Sequence, residues 1–377
     1  MTNGETAETV GMWLAMLDEL YPPGHAASWD QVGLQVGDPD WPVARVLTSL
    51  DVTGAVLEEA AEVAETLVLA HHPLLFRPLE RLTPATAPGR LALRAATSRI
   101  AVAAAHTNLD VARDGAGTSQ PVARVLGLTA TRPLTTEVTE GRRCKLVTFV
   151  PPEALDAVID GVAAAGAGRI GEYERCTFRV RGTGTFRPLE GADPYSGAVG
   201  EDAAEQEDRL EVELPTRRIG EVVRALIAAH PYDEVAYDLV PLLDGAEVGF
   251  GVVGELPEPL PLAVVAAQIR AGLPAPHLRF AGDPERLVTT VATVGGAGDS
   301  LIGAAAASGA DVYVTGDLRH HVTLDAVEQG LALIDAGHHA TEVAAIPAWT
   351  ERLAAAAQRE GLVAPVLASR TPTVPWS

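Results

Sequence analysis

Two adjacent histidines stand where a short apolar run of the sequence ends. The run Leu67–Ala70 predicts a buried strand, and Pro73 stops it soon after His71 and His72 because proline cannot donate to a sheet ladder. Ligands of open α/β sheets usually bind at the carboxyl ends of strands. Adjacent side chains on an extended chain point to opposite sides, so this pair suits two ions better than one. Taken alone, such a pair is more often one packed and one solvated histidine.

A second apolar run, Ile100–Ala105, leads into His106 and Asp110. Imidazole nitrogen combined with carboxylate oxygen suits zinc, iron, manganese or nickel better than calcium. The alternative for this cluster is a hydrogen-bonded histidine beside a capping aspartate. Because two predicted strands of one sheet end in ligand-type residues, we favour a metal site.

A third apolar run, Leu331–Asp335, precedes His338 and Glu342. These two residues are four apart at a predicted helix start, so they share one helix face and can reach the same ion or pair of ions. By themselves they could equally be an ordinary helix-surface pair. Ligand-type residues after three predicted strands make coincidence a poorer explanation than a shared site.

Strands and helices alternate before and after a central region of different character. The alternation predicts an α/β fold with mainly parallel mixed sheets and helices on both faces. The central region follows the order βαββαβ, which predicts an inserted ferredoxin-like α+β domain. We therefore expect core segments at 1–128 and 250–377 and an inserted domain at 129–249. The glycine-rich turn Gly295–Ser300 could bind an anion, but a tight βα connection is the interpretation we favour.

Composition excludes several classes of protein. The 377 residues carry a net charge of −22, which argues against general nucleic-acid binding because phosphate neutralisation needs Lys and Arg. A hydrophobic content of 47% is enough for sizeable cores. We see no signal peptide, no apolar run of membrane-spanning length and no disulfide framework in two cysteines. We therefore expect a cytoplasmic protein that does not bind membranes.

Four segments together resemble the Nif-three family of dinuclear-metal proteins, whose members are often described as homologues of a type-2 GTP cyclohydrolase 1. The segments read LAHHPLLF, AAHTNLD, VYVTGDLRHH and DAGHHATE, and the early SWDQVGLQVGD segment extends the resemblance over almost the whole chain. The predicted insert is similar to that of the longer members, which resembles PII signal-transduction and copper-tolerance trimeric domains.

The resemblance implies a metal site and an assembly. It implies two divalent ions, of zinc, iron, manganese or nickel, bound by His71, His72, Asp110, His338 and Glu342, with Glu342 as the bridging ligand. It places His106 at the site as a ligand or a support. It also implies a toroidal homohexamer whose inserted domains cap the ring.

Two functions are compatible with such a site. The first is a metal-dependent hydrolase that acts on a nucleotide, as in cyclohydrolase chemistry, or on a phosphoester. His321 or His106 would transfer protons, since imidazole titrates near physiological pH. The second is a non-catalytic metal-binding scaffold, metal chaperone or regulatory adaptor. A substrate pocket beside the ligands favours the enzyme, whereas a closed site favours the scaffold.

Overall fold

The structure is a computed structural model that describes residues 7–112, 115–136, 140–171, 173–243 and 249–376. The chain divides into two compact units. We call residues 1–137 with 247–377 the core unit and residues 138–246 the inserted unit. Throughout the described ranges, each helix is too short or too polar to cross a membrane.

The elements follow one another in three stretches of chain. The first stretch contains α1 (Val10–Leu20), β1 (Gly33–Val36), β2 (Arg45–Ser49), α2 (Gly54–Ala60), β3 (Thr66–Ala70), α3 (Ala87–Thr97), β4 (Ala101–Ala104), α4 (Thr107–Asp110), α5 (Gln120–Val125) and β5 (Thr129–Arg132). The inserted unit contains β6 (Glu140–Val150), α6 (Leu155–Ala164), β7 (Thr177–Phe186), β8 (Ala203–Pro215), α7 (Ile219–Ala229) and β9 (Tyr237–Leu243). The last stretch contains β10 (Val252–Pro261), α8 (Leu262–Gly272), β11 (Arg279–Ala281), β12 (Leu287–Ala297), α9 (Ile302–Ala307), β13 (Val312–Gly316), α10 (His320–Glu328), β14 (Ala332–Asp335), α11 (His338–Val343), α12 (Ile346–Glu360) and β15 (Val366–Ala368).

The core unit is built on two sheets. The first has the strand order β1-β4-β3-β2-β15, with β1 antiparallel and the other neighbours parallel. The second has the order β11-β14-β13-β12-β10-β5, with a parallel centre of β12, β13 and β14. The carboxyl ends of β3 and β4 in the first sheet, and of β14 in the second, are followed by the histidines and carboxylates singled out above.

Both faces of the first sheet are covered, and this determines the register of β3. Leu67 and Leu69 pack in one cluster with residues of α1 and α12, whereas Val68 and Ala70 pack in another with residues of α2 and α3. Burying a leucine or valine side chain stabilises a fold by about 1.5–3 kcal/mol. A one-residue slip would exchange the two faces, so packing also decides the positions of the residues that follow the strand.

The second sheet is likewise covered on both faces. One face packs with residues of α5, α8 and α11, and the other packs with residues of α9 and α10. The α/β prediction is therefore confirmed at the level of mixed sheets with helices. The mainly parallel arrangement holds in the first sheet, but β5, β10 and β11 pair antiparallel in the second.

The sequence pattern does not predict strand β10, because the segment VVGELPEPLP carries three prolines, which cannot donate to a ladder. Pro257 and Pro259 lie within a register shift between Glu255 and Leu260, and Pro261 is the last residue of the strand. It pairs with β5, so Thr129–Arg132 belongs to a core sheet although the predicted insert began at residue 129. The inserted unit of the structure covers residues 138–246 instead.

The inserted unit has the predicted element order βαββαβ, with an antiparallel sheet in the order β7-β8-β6-β9. Its own apolar cluster lies between the sheet and the helices α6 and α7. His230 is buried there, with Nε2 bonded to the carbonyl of Phe149 and Nδ1 accepting from the amide of Tyr232. These contacts make His230 a structural residue of the inserted unit.

Glu59 of α2 forms hydrogen bonds with the chain segment that follows β15. Its buried carboxylate accepts hydrogen bonds from Ser369 Oγ at 2.7 Å, Thr371 Oγ1 at 2.7 Å and the backbone amide of Arg370 at 3.0 Å. Burial would raise the pKa of Glu59, but the hydrogen bonds from Arg370, Ser369 and Thr371 outweigh it and lower the pKa to about 2. The ionised carboxylate therefore stabilises the folded chain.

We predict that Glu59→Gln lowers the free energy of unfolding by about 1–3 kcal/mol at pH 7, because buried donors lose their charged acceptor. The folded-state pKa lies below that of the unfolded chain. The contribution is thus fully present above about pH 4.3 and is lost as the pH falls toward 2. Urea denaturation at pH 7 and at several values below pH 4 should show the difference between wild type and variant shrinking.

The neighbouring Glu58 provides the control. Its side chain is exposed and pairs with Arg94, so Glu58→Gln should change the free energy of unfolding by less than about 1 kcal/mol. Equal effects of the two substitutions at pH 7 would contradict the role assigned to Glu59.

Candidate metal centre

The histidine pair after β3 is held by one hydrogen bond to each ring. His71 is fully buried, and its Nδ1 lies 3.0 Å from the carbonyl oxygen of Ala105, the residue that follows β4. The Nδ1 of His72 lies 2.8 Å from Oδ1 of Asp51, which follows β2. Both ring orientations therefore depend on neighbouring strands of the same sheet.

Two further histidines are held in the same way. The Nδ1 of His106 lies 2.8 Å from Oδ1 of Asp30, and the Nδ1 of His338 lies 2.8 Å from Oδ2 of Asp317. Asp317 has a φ of 56°, a left-handed conformation that aspartate adopts more readily than most residues. Each carboxylate lies in a loop that contacts the end of a strand.

The four Nδ1 atoms thus face oxygen acceptors, so each ring keeps its proton on Nδ1. A neutral imidazole protonated at Nδ1 presents a lone pair at Nε2. Metal-binding histidines characteristically donate their other N–H to a carboxylate or a backbone carbonyl in this manner. The hydrogen bonds therefore prepare these rings to act as ligands through Nε2.

The Nε2 atoms of His71, His72 and His338 converge on the carboxylate of Glu342. Its Oε1 lies 3.7 Å from Nε2 of His71, and its Oε2 lies 2.9 Å from Nε2 of His72 and 3.1 Å from Nε2 of His338. On the other side of His71, its Nε2 lies 3.5 Å from Oδ1 of Asp110. The four-residue spacing of His338 and Glu342 on α11 does bring them to one face.

Two overlapping groups could hold a metal ion. We call His71, His72 and His106 the His106 group, and His72, His338 and Glu342 the Glu342 group; in each, the possible ligand atoms all lie within 4.8 Å of one another. The first sheet supplies the His106 group, whereas α11 after the second sheet adds His338 and Glu342. The core unit as a whole is needed to assemble both.

Two buried ligand-type atoms lack hydrogen bonds. The Nε2 of His71 and the Oε2 of Glu342 form none, although Oε2 lies within 3.1 Å of two imidazole nitrogens. Buried polar atoms are normally paired, because desolvating an unpaired one costs free energy. A divalent cation can take the place of protons among these nitrogen and oxygen atoms, so the residues suit a metal ion.

Charges at the site favour a cation as well. Burial would lower the pKa of His72, but Asp51 and Glu342 raise it to about 10. Burial would likewise lower the pKa of His338, and Glu342 raises it to about 9. For Glu342, burial would raise the pKa, but the surrounding imidazoles hold it well below its usual range. Burial raises the pKa of Asp110, and the charge of Glu342 adds to this. A divalent ion would offset the repulsion between the Asp110 and Glu342 carboxylates and the cost of burying Glu342.

The glycine-rich segment at the end of β12 has a steric role here. Gly296 has a φ of 70°, and a Cβ at this position would collide with Oε1 of Glu342. Its amide donates to Oγ1 of Thr341, which ties the turn to α11. The segment is thus the end of β12, and it supplies the space that the Glu342 carboxylate needs.

A cavity of about 300 Å³ lies beside one edge of the site. Asp110 lies in its wall together with Ser119, Gln120 and Arg132. His72 and His338 are also partly exposed, with about a quarter and a third of their side chains accessible. A small molecule could therefore approach Asp110 from the cavity, and His72 and His338 from solvent.

Two predicted site residues lie outside the two groups. One is Asp110, which faces Nε2 of His71 at 3.5 Å, and the other is His321. His321 is exposed at the start of α10, and its ring lies 5.1 Å from that of His320. Its role in proton transfer stays a prediction. Sequence reasoning missed Asp30, Asp51 and Asp317, which hold the rings. Two features of the sequence could have identified them. Asp51 follows a predicted strand, and Asp30 and Asp317 lie in the SWDQVG and TGDLR segments.

Comparisons with known proteins identify the family of the chain. The family described as Duf34/NIF3 (NGG1p interacting factor 3) matches residues 9–375. The chain belongs to this family. A GTP cyclohydrolase 1 type 2 homolog from Halalkalibacterium halodurans is 38% identical over 344 residues, which are 91% of this chain and 90% of that protein. One from Mycobacterium tuberculosis is 43% identical over 333 residues, 87% of this chain and 86% of that protein.

A solved structure extends the family likeness to three dimensions. The crystal structure of a Bacillus cereus protein related to NIF3 matches with a TM-score of 0.76 at 36% identity, and the match covers 99% of this chain and all of that one. The Duf34/NIF3 fold therefore includes both units of the chain.

We predict that Gly296→Ala weakens metal binding about tenfold or more, because the added Cβ displaces the Glu342 carboxylate. Titration of each protein with Zn²⁺, followed by elemental analysis, would measure the loss. Gly303→Ala is the matched control, since Gly303 lies in α9 and a Cβ there meets no atom within 4 Å. Equal zinc affinity of the two correctly folded variants would contradict the role of Gly296.

Proposed function

We propose that this protein is a metal-dependent hydrolase with two divalent ions in its core unit. The observation that carries the proposal is the position of the Glu342 carboxylate. Its Oε1 faces His71, and its Oε2 faces His72 and His338. A carboxylate that turns one oxygen toward each of two imidazole sets is suited to bridge two ions.

The ligands divide into two sets around this bridge. His71 and Asp110 would hold one ion, His72 and His338 would hold the other, and Glu342 would contact both. His106 would complete the first set or support it. Five ligand side chains exceed the four that one structural zinc ion needs. Nitrogen and carboxylate donors allow zinc, iron, manganese or nickel.

The chain's own residues then have distinct tasks. When bound, such ions supply Lewis acidity and lower the pKa of water toward neutrality. His106, whose Nδ1 is held by Asp30, can accept or return a proton at Nε2. Arg132, in the wall of the adjacent cavity, can bind an anionic group of the substrate. Glu342 and His71 are buried, which keeps competing water away from their side of the site.

A nucleotide or another phosphoester is the substrate class that we propose. Family relatives named GTP cyclohydrolase 1 type 2 homolog support a nucleotide. The cavity beside Asp110 supports an enzyme over a metal-binding scaffold, since a scaffold has no need for an open space next to its ligands.

We also propose that the chain assembles as a homohexamer and that its inserted unit is PII-like. The βαββαβ order and the antiparallel strand order of the inserted unit support the second point. Light scattering of the purified full chain would measure the mass of the assembly; a monomer would contradict the hexamer.

We predict that metal-saturated protein contains two divalent ions per chain. Glu342→Ala should reduce both, because the bridging ligand is lost, whereas His71→Ala should reduce chiefly one. His339→Ala is the control, since His339 belongs to neither group. Elemental analysis after dialysis would measure the ratio. Saturation of the wild type at one ion would contradict the dinuclear centre.

We predict that the metal-loaded protein hydrolyses a nucleotide or a phosphoester and that a chelator abolishes the activity. Glu342→Ala should be inactive in a panel of GTP and simple phosphoesters. The predicted proton-transfer role of His321 requires that His321→Ala lower the rate while metal content stays unchanged. Inactivity of fully metallated wild type across the panel would favour the scaffold instead.

A further inference from the structure

Two large aromatic side chains lie exposed beside the candidate metal centre. Trp29 is 57% exposed and Phe76 is 45% exposed. Their ring centroids are 5.9 Å apart, and the planes meet at 63°. The centroids lie 6.1 and 6.3 Å, respectively, from that of the His106 ring. The pair thus forms an open corner of aromatic surface next to a possible metal ligand. We call it the aromatic corner.

The backbone on the Trp29 side of the corner is held in place. Asp30, whose side chain is fully buried, bonds Nδ1 of His106 at 2.8 Å and accepts from the amide of Thr107 at 3.0 Å. The amide of Ala27 donates to Oγ1 of Thr107 at 2.9 Å. Residues on both sides of Trp29 are therefore bonded to the chain segment that follows β4.

The Phe76 side is held by β1. The side-chain oxygen of Gln35 accepts a hydrogen bond from the backbone amide of Leu75 at 2.7 Å. The side-chain nitrogen of Gln35 donates to the backbone carbonyl of Gln31. These bonds join the segment after His72 to the SWDQVGLQVGD segment. The fold therefore fixes the backbone next to Trp29 and next to Phe76 before any ligand binds. This lowers the cost of ordering the two rings on binding.

We propose that the aromatic corner binds the planar ring of the substrate, so that Trp29 and Phe76 select a nucleobase. The inference rests on the proposed function and specifies its substrate class. An exposed apolar patch of this kind marks a binding surface. Stacking on an aromatic side chain suits any planar heteroaromatic ring, because each presents a π-face. The ring contacts with His106 place such a base beside the ligand groups, where the rest of a nucleotide would meet the ions.

Binding measurements on the zinc-loaded full chain test this without any turnover. GMP and ribose 5-phosphate carry the same sugar and phosphate, and they differ in the base. We expect GMP to bind about tenfold or more tightly than ribose 5-phosphate. Trp29→Ala and Phe76→Ala should weaken GMP binding about tenfold and leave ribose 5-phosphate binding unchanged. Trp29→Phe should restore most of the affinity for GMP because it keeps a ring.

Phe280→Ala is the matched control. Phe280 is a partly exposed aromatic residue of the core unit, and no ring contact joins it to His106 within the described residues. It should leave both affinities unchanged. Calorimetry gives the affinities, and zinc content with melting temperature shows that each variant is folded and loaded.

The outcomes separate this inference from the proposed function. Equal affinity for the two ligands, or binding of neither, would overturn the aromatic corner even if the protein hydrolyses simple phosphoesters. A preference for GMP that survives Trp29→Ala combined with Phe76→Ala would overturn it as well. A preference for GMP that depends on Trp29 would support it, even if the protein hydrolyses nothing in the panel.

Discussion

The hydrogen bond at Nδ1 of each site histidine is the interaction on which the candidate centre depends. Ala105, Asp51, Asp30 and Asp317 supply the acceptors, and each belongs to a strand end or a loop that the sheets position. An imidazole without this bond could present either nitrogen and could rotate. With it, the Nε2 atoms are free to act as ligands, and those of His71, His72 and His338 face the buried carboxylate of Glu342.

That convergence requires two sheets. The packing of β3 on both faces sets which way His71 and His72 point, while the second sheet delivers His338 and Glu342 on α11. Gly296 at the end of β12 leaves room for the Glu342 carboxylate, which a side chain would fill. The centre is therefore a product of the whole core unit.

The surroundings of the centre bear on its use. A closed set of ligands would serve storage or structure, but here a cavity reaches Asp110 and the aromatic corner adjoins His106. The SWDQVGLQVGD segment, for which residue spacing predicted no chemical role, contacts His106. It carries Asp30, which orients His106, and Trp29, which stays exposed beside it.

The amino-acid sequence predicts the α/β class, the strands that end in ligand-type residues and the shared helix face of His338 and Glu342. Those features follow from local periodicity, which the order of residues encodes directly. The remaining features depend on tertiary contacts between distant parts of the chain. Proline-rich β10 became a strand because β5 and β12 provide partners for it. Asp30 reaches His106 from 76 positions away, and His72 meets His338 across 266. Such contacts depend on how sheets and helices pack, so no spacing in the sequence reveals them.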